Sequence, residues 1–118
     1  MSNEQRTIDT LKQVGFSKNE SKFLLYLFNN NGARSREIEL GADLRQPEVS
    51  VATTSLVDKK LIKITSTKNT IGKGRPLNRY FLTKSHDGIV KDINDMFLVR
   101  LNTLKKAMAD FNSIFTTP

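Results

Sequence analysis

The spacing of apolar residues changes period along the chain and then changes back. Ile8, Leu11 and Val14 recur three apart, as on one helical face, and Gly15 closes this short first helix. Ser17 followed by Glu20 has the form of a capping box, in which the hydroxyl accepts an orphan N–H and the carboxylate reaches back. Phe23, Leu24, Leu27 and Phe28 share the face of a second helix, which Asn30, Asn31 and Gly32 end in a turn. Ser35 is the next N-cap candidate. It opens a short helix with Ile38 and Ala42 facing inward, Leu40 as a further inward candidate, and Gly41 near its end. Gln46 and Pro47 open a fourth helix, since proline's missing N–H costs nothing in a first turn. Val49, Ala52, Thr53, Leu56 and Val57 give it a buried stripe, and Lys59 and Lys60 suit the negative end of its dipole.

The period then shortens. Leu61, Ile62, Ile64, Thr65 and Thr67 are strand formers. Residues 68–76 contain Gly72, Gly74 and Pro76 and cannot be helical. Residues 77–83, with Tyr80, Phe81 and Leu82, read as a returning strand, so residues 61–83 form a β-hairpin with a long tip. Beyond residue 85 the helical period resumes. Ile89, Ile93, Met96, Phe97, Leu101, Leu104, Met108, Phe111 and Phe115 recur at steps of mostly three and four. They define one helix of about 30 residues, roughly 45 Å long. The order is α-α-α-α-β-β-α: a mostly α fold with a small β-hairpin. The long stripe is too extended for so small a domain to cover, and the simplest partner is the same helix of a second chain. Residues 1–84 are therefore expected to be one domain and residues 85–118 a C-terminal dimerisation helix, with the nine residues just named as its interface.

Composition narrows the function. A chain of 118 residues is the size of one domain and can bury a core without staples. With no cysteine there is no disulfide, thiol chemistry or Cys-ligated zinc. No apolar run approaches the roughly 20 residues of a membrane span, and the polar start (Ser2, Asn3, Glu4, Gln5) is unlike a signal peptide. A cytoplasmic protein with no membrane partner is expected. The net charge is +7, and +6 of it falls in residues 61–86, which hold Lys63, Lys68, Lys73, Arg75, Arg79 and Lys84 and no acid. A basic excess confined to the hairpin points to a polyanion.

Two short helices followed by a basic hairpin are the arrangement of a winged helix-turn-helix, whose second helix reads duplex DNA. In that frame Gln46, Pro47, Ser50, Val51 and Thr54 lie on the recognition helix; Ser and Thr can bond base edges, and Val51 can meet a thymine methyl. Arg34, Ser35 and Arg36 sit where the supporting helix can grip phosphate with its N-terminus. Lys68, Lys73, Arg75 and Arg79 belong to the wing. Arg75, in extended chain between Gly74 and Pro76, suits a minor groove. Glu48 is expected on the exposed side of the recognition helix, as a repulsive carboxylate.

The residues also resemble a family. The stretch from Phe16 through Ser17 and Glu20 to Leu27 is similar to the opening of the second helix in TrmB/MarR-type regulators. The stretch from Gln46 to Ile62 resembles their recognition helix running into the first wing strand. Lys73-Gly74-Arg75-Pro76, followed by Arg79 and Tyr80, resembles the wing of TrmB-like proteins. The resemblance spans residues 8–83 and implies a dimeric, DNA-binding transcription regulator. The large sugar-binding domain of full TrmB proteins is not expected within these 118 residues. It departs from the family in lacking Arg, Lys or Tyr on the exposed side of its recognition helix, which shifts phosphate binding toward the wing.

Other chemistry finds no support. His86 is the only histidine, without cysteines or clustered carboxylates, and reads as a surface group at a helix start. Asp92 and Asp95 lie on the polar side of a helix, and Gly72 and Gly74 lack the lysine and helix of a phosphate loop. No nucleophile has a base, so no enzyme, cofactor or metal is expected. The preferred reading is a homodimeric regulator of promoter access, with repression ahead of activation. An architectural DNA-binding protein without sequence choice and a protein-binding winged helix are the alternatives. An apolar effector held between subunits is conceivable on the family resemblance, with no direct support in the residues.

Overall fold

A computed structural model describes residues 3–67 and 77–116. The elements are α1 (Asn3–Lys12), α2 (Lys18–Asn29), β1 (Ala33–Arg34), α3 (Ser35–Gly41), α4 (Gln46–Asp58), β2 (Ile62–Thr67), β3 (Leu77–Leu82) and α5 (His86–Thr116). The four helices, the hairpin and the long last helix follow the apolar periods. The short strand β1 does not announce itself in the sequence. It pairs antiparallel with β3, which pairs antiparallel with β2, so the hairpin is part of a three-stranded sheet of order β1-β3-β2. Two residues are too few to show a period of two.

One apolar core joins the helices to the sheet. Phe23, Leu24 and Leu27 of α2, Ile38 of α3, Leu56 of α4, Leu61 just before β2, and Ile89 of α5 are all fully buried. Tyr80 closes the core from the sheet, with its ring edge-on to Phe23 at 5.6 Å. Two inward assignments fail. Leu40 is 69% exposed at the outer side of α3, and Val57 is 39% exposed, because Leu56 takes the inward position on that turn of α4.

The helix starts also differ in detail. Ser17 caps α2 by accepting the N–H of Glu20, but the Glu20 carboxylate turns away to α4 and does not reach back. Arg34, not Ser35, is the N-cap of α3, and Arg45 is the N-cap of α4. An arginine cannot accept a hydrogen bond, so the cap comes from the other side. Glu37 takes the N–H of Arg34 at 2.9 Å and Glu48 that of Arg45 at 2.8 Å.

The turn between α3 and α4 is set by Asp43, at φ +55°, in the left-handed region that Asp tolerates better than most residues. Lys22 of α2 donates to the Asp43 carbonyl at 3.0 Å and holds the turn down. Gly41, at the end of α3, lies against Tyr26 so closely that a Cβ there would come within 2.0 Å of the ring.

The protein measures 77 × 30 × 27 Å, with a radius of gyration of 18.5 Å. A compact chain of this length would have about 13.5 Å. The difference is α5. Ile89 is buried and Ile93 and Met96 pack on the core, but residues 98–116 are all exposed. No helix among the described residues is long and apolar enough to cross a membrane.

Candidate nucleic-acid interface

The helix α4 presents three distinct strips. Val49, Ala52, Thr53 and Leu56 face the core. Gln46, Pro47, Ser50, Val51 and Thr54 are all exposed and fall on one continuous arc of about 140°. Gln46 donates to Ser50 Oγ at 3.4 Å and Thr54 to the Ser50 carbonyl at 3.2 Å, so these polar groups are ordered along the helix axis. Val51 is 72% exposed. The five residues assigned to reading DNA thus share one outward surface.

The third strip binds α4 to the start of α2. Asn19 donates to Glu48 Oε2 at 3.2 Å near the beginning of α4. Near its end, Ser55 donates to Glu20 Oε1 at 3.0 Å and Lys59 to Glu20 Oε2 at 2.9 Å. This places Glu48 differently from the sequence expectation. Its carboxylate is folded back onto the N–H of Arg45 and onto Asn19, away from the outward arc. The backbone N–H of Arg45 lowers its pKa most; burial works against this, and Asn19, Arg45 and Lys22 add to the lowering. The helix α4 therefore carries its one early acid as an internal cap and not as an outward charge.

The sheet carries cations of its own. Arg34 of β1 lies directly opposite Arg79 of β3, and Arg79 opposite Thr65 of β2. Residues opposite one another in a ladder point to the same side. With Lys63 two positions before Thr65, one sheet face carries Arg34, Lys63 and Arg79, while Ala33, Ile62, Tyr80 and Leu82 line the other and are buried. Arg79 Nη1 donates to the Gly32 carbonyl at 3.2 Å, which fixes part of that guanidinium on the turn before β1. Arg36 is exposed and 3.9 Å from Glu39; Ser35 is half-buried in the first turn of α3. Lys68, Lys73 and Arg75, expected in the wing, lie outside the described residues.

Of two further cations, Arg45 escapes sequence reading and Lys63 is counted in the basic hairpin without being assigned a contact. Arg45 begins α4 with an exposed side chain that makes no capping bond, and Lys63 stands on the sheet face with the wing arginine. The signal for Arg45 was present: Arg34 and Arg45 each precede a glutamate by three positions, and that repeat marks both helix starts of the motif.

The expected dimer residues divide. Ile89 is fully buried in its own chain and is not an interface residue. Ile93 and Met96 also spend part of their surface on the core. Leu101, Leu104, Met108, Phe111 and Phe115 are 48–72% exposed, and Phe97 is half-buried between the two groups. His86 is an exposed group at the start of α5, yet it is not idle. Its Nε2 lies 2.6 Å from the Phe28 carbonyl and its ring meets Phe28 edge-on, tying α5 to the end of α2. Among the described residues no cluster of His, Asp or Glu is arranged to hold a metal.

No protein-family model matches the sequence, and no curated protein does. Solved structures do match. A protein of Methanosarcina mazei described as a possible transcriptional regulator superposes with a TM-score of 0.67 at 14% identity, over 90% of this chain and 86% of that one. A MarR-family regulator of Silicibacter pomeroyi gives 0.58 at 15% identity, over 93% and 80%. A variant of the Staphylococcus aureus regulator MepR, solved bound to an oligodeoxyribonucleotide, gives 0.57 at 20% identity, over 95% and 86%. The chain has the winged helix-turn-helix fold of the MarR-type transcription regulators, long last helix included.

Proposed function

We propose that this protein is a sequence-specific, double-stranded DNA-binding transcription regulator that acts as a homodimer and represses by occupying a promoter. The observation that carries the reading is the charge layout at the two helix starts. Arg34 and Arg45 stand at the N-caps with exposed side chains, while Glu37 and Glu48 are drawn back onto the backbone. A helix N-terminus already favours phosphate, and here each is flanked by a cation and relieved of its nearest acid. Gln46, Ser50, Val51 and Thr54 run along the exposed side of α4 from the second of these starts, where they could meet base edges, and Arg34, Lys63 and Arg79 share one face of the sheet. The neighbour solved with an oligodeoxyribonucleotide supports DNA as the partner. The exposed apolar half of α5 supports the dimer.

A second reading, sequence-neutral DNA coating, is favoured by one feature: Gln46 is the only side chain of the outward arc able to make a bidentate base contact. The experiment is retention of genomic fragments, the gene's own promoter among them, against excess random competitor at about 50 and 200 mM salt. Discrete fragments retained at the higher salt are expected. Binding to all fragments at low salt and none at high salt would replace the regulator with the coating reading. No binding at either would overturn both.

A further inference from the structure

The exposed half of α5 carries a strict seam. Phe97, Leu101, Leu104, Met108, Phe111 and Phe115 are separated by four, three, four, three and four positions. That spacing fits a two-helix coiled coil, and residues 98–116 have no core of their own chain to lie on. Followed backwards, the seam passes through Asn94 and Val90 into a groove of about 440 Å³ between α1, α2 and α5, lined also by Leu11, Leu25 and Phe28.

We infer, on the homodimer reading above, that two copies pair antiparallel along this seam, with the two-fold axis beside Lys106. Facing residues in an antiparallel pair have numbers that add to a constant. Setting Leu104 against the partner's Met108 puts Leu101 against the partner's Phe111 and Phe97 against the partner's Phe115. All six seam positions are matched in one register. Parallel pairing matches each residue with its own copy, so charge decides between the two. In a parallel pair Arg100 flanks the partner's Lys105, and symmetry repeats that clash. The antiparallel register sets Arg100 beside the partner's Ile114 and leaves one like-charged contact, Lys105 with the partner's Lys105, next to the axis. It also brings the partner's Phe111 and Phe115, whose rings lie 4.8 Å apart within one chain, to Phe97 at the mouth of the groove. The groove then gains an apolar cover from the second copy.

The geometry of the heads follows. His86 lies twenty residues from Lys106, so the two starts of α5 are about 60 Å apart along the paired helices.

The chain has no cysteine, so single cysteines can carry spin labels for pulsed electron-resonance distances. Asp87→Cys marks the start of α5 and Lys106→Cys its middle; both sites are exposed. The expected distances are about 60 Å for Asp87→Cys and about 20 Å for Lys106→Cys, across two packed helices and their labels. Short distances at both sites would overturn the antiparallel arrangement while keeping the dimer. No dipolar signal, with a monomer mass by sedimentation, would overturn the dimer itself.

Discussion

Glu20 and Lys59 form an ion pair at 2.9 Å that fastens the start of α2 to the end of α4. Their side chains are 11% and 26% exposed, and Ser55 bonds to both, donating to the carboxylate and accepting from the ammonium. Lys59 also sits 5.3 Å from the centre of the Phe16 ring. The pair lies between the exposed and the fully buried case. Glu20→Ala is expected to cost about 2 kcal/mol, because it removes the carboxylate to which both Lys59 and Ser55 donate. Urea denaturation measures it. A loss under about 0.5 kcal/mol would reduce the pair to a surface contact.

Glu48 makes stability depend on pH in a stated direction. Its folded pKa is lowered, chiefly by the Arg45 N–H. A lowered carboxylate stabilises fully above its unfolded value, near 4.5, and that contribution is lost as pH falls through the folded value. Denaturation of the parent and of Glu48→Gln at pH 7 and at pH 3 is expected to show a gap that narrows in acid. Glu48→Gln is also expected to leave DNA affinity within about twofold, since the carboxylate does not face outward; a tenfold gain would show that it meets phosphate.

Gly41 has no room for a side chain. Gly41→Ala would drive a methyl into the Tyr26 ring and is expected to cost about 2 kcal/mol, in the range of overpacked sites. Trimming the obstacle tests the cause. In the double variant with Tyr26→Leu the two losses are expected not to add, with a coupling of about 1 kcal/mol in a double-mutant cycle. Additive losses would place the strain elsewhere.

Arg45 is the side chain whose loss separates binding from folding. Arg45→Ala removes no structural bond of its guanidinium to α4, so stability is expected to stay within about 0.5 kcal/mol. Affinity for all DNA sequences is expected to fall together, with the slope of log affinity against log salt reduced by about one. An unchanged slope would move Arg45 off the interface.

What the sequence revealed and what it hid have physical reasons. Long periodic stretches such as Phe23 to Phe28 and Phe97 to Phe115 declared themselves, because many residues repeat one pattern. The strand at Ala33 and Arg34 did not, since its existence depends on a partner forty-five residues away. The outward arc of α4 was legible as the complement of its buried stripe. Glu48 was misplaced because periodicity gives the side a residue starts from, not where a flexible carboxylate finds its donors. Ile89 was misassigned for a related reason: one stripe on α5 serves two surfaces in succession, and only the packing shows where the first ends.

The three strips of α4 keep separate duties. Anchoring falls to Glu48, Ser55 and Lys59, and core packing to Val49, Ala52 and Leu56, so Gln46, Ser50, Val51 and Thr54 owe nothing to either. Those four positions can be randomised together without touching what holds the helix in place. On the proposed function the scaffold is in this sense a blank for reprogramming: a library on one arc would change the text that is read while the reader keeps its posture.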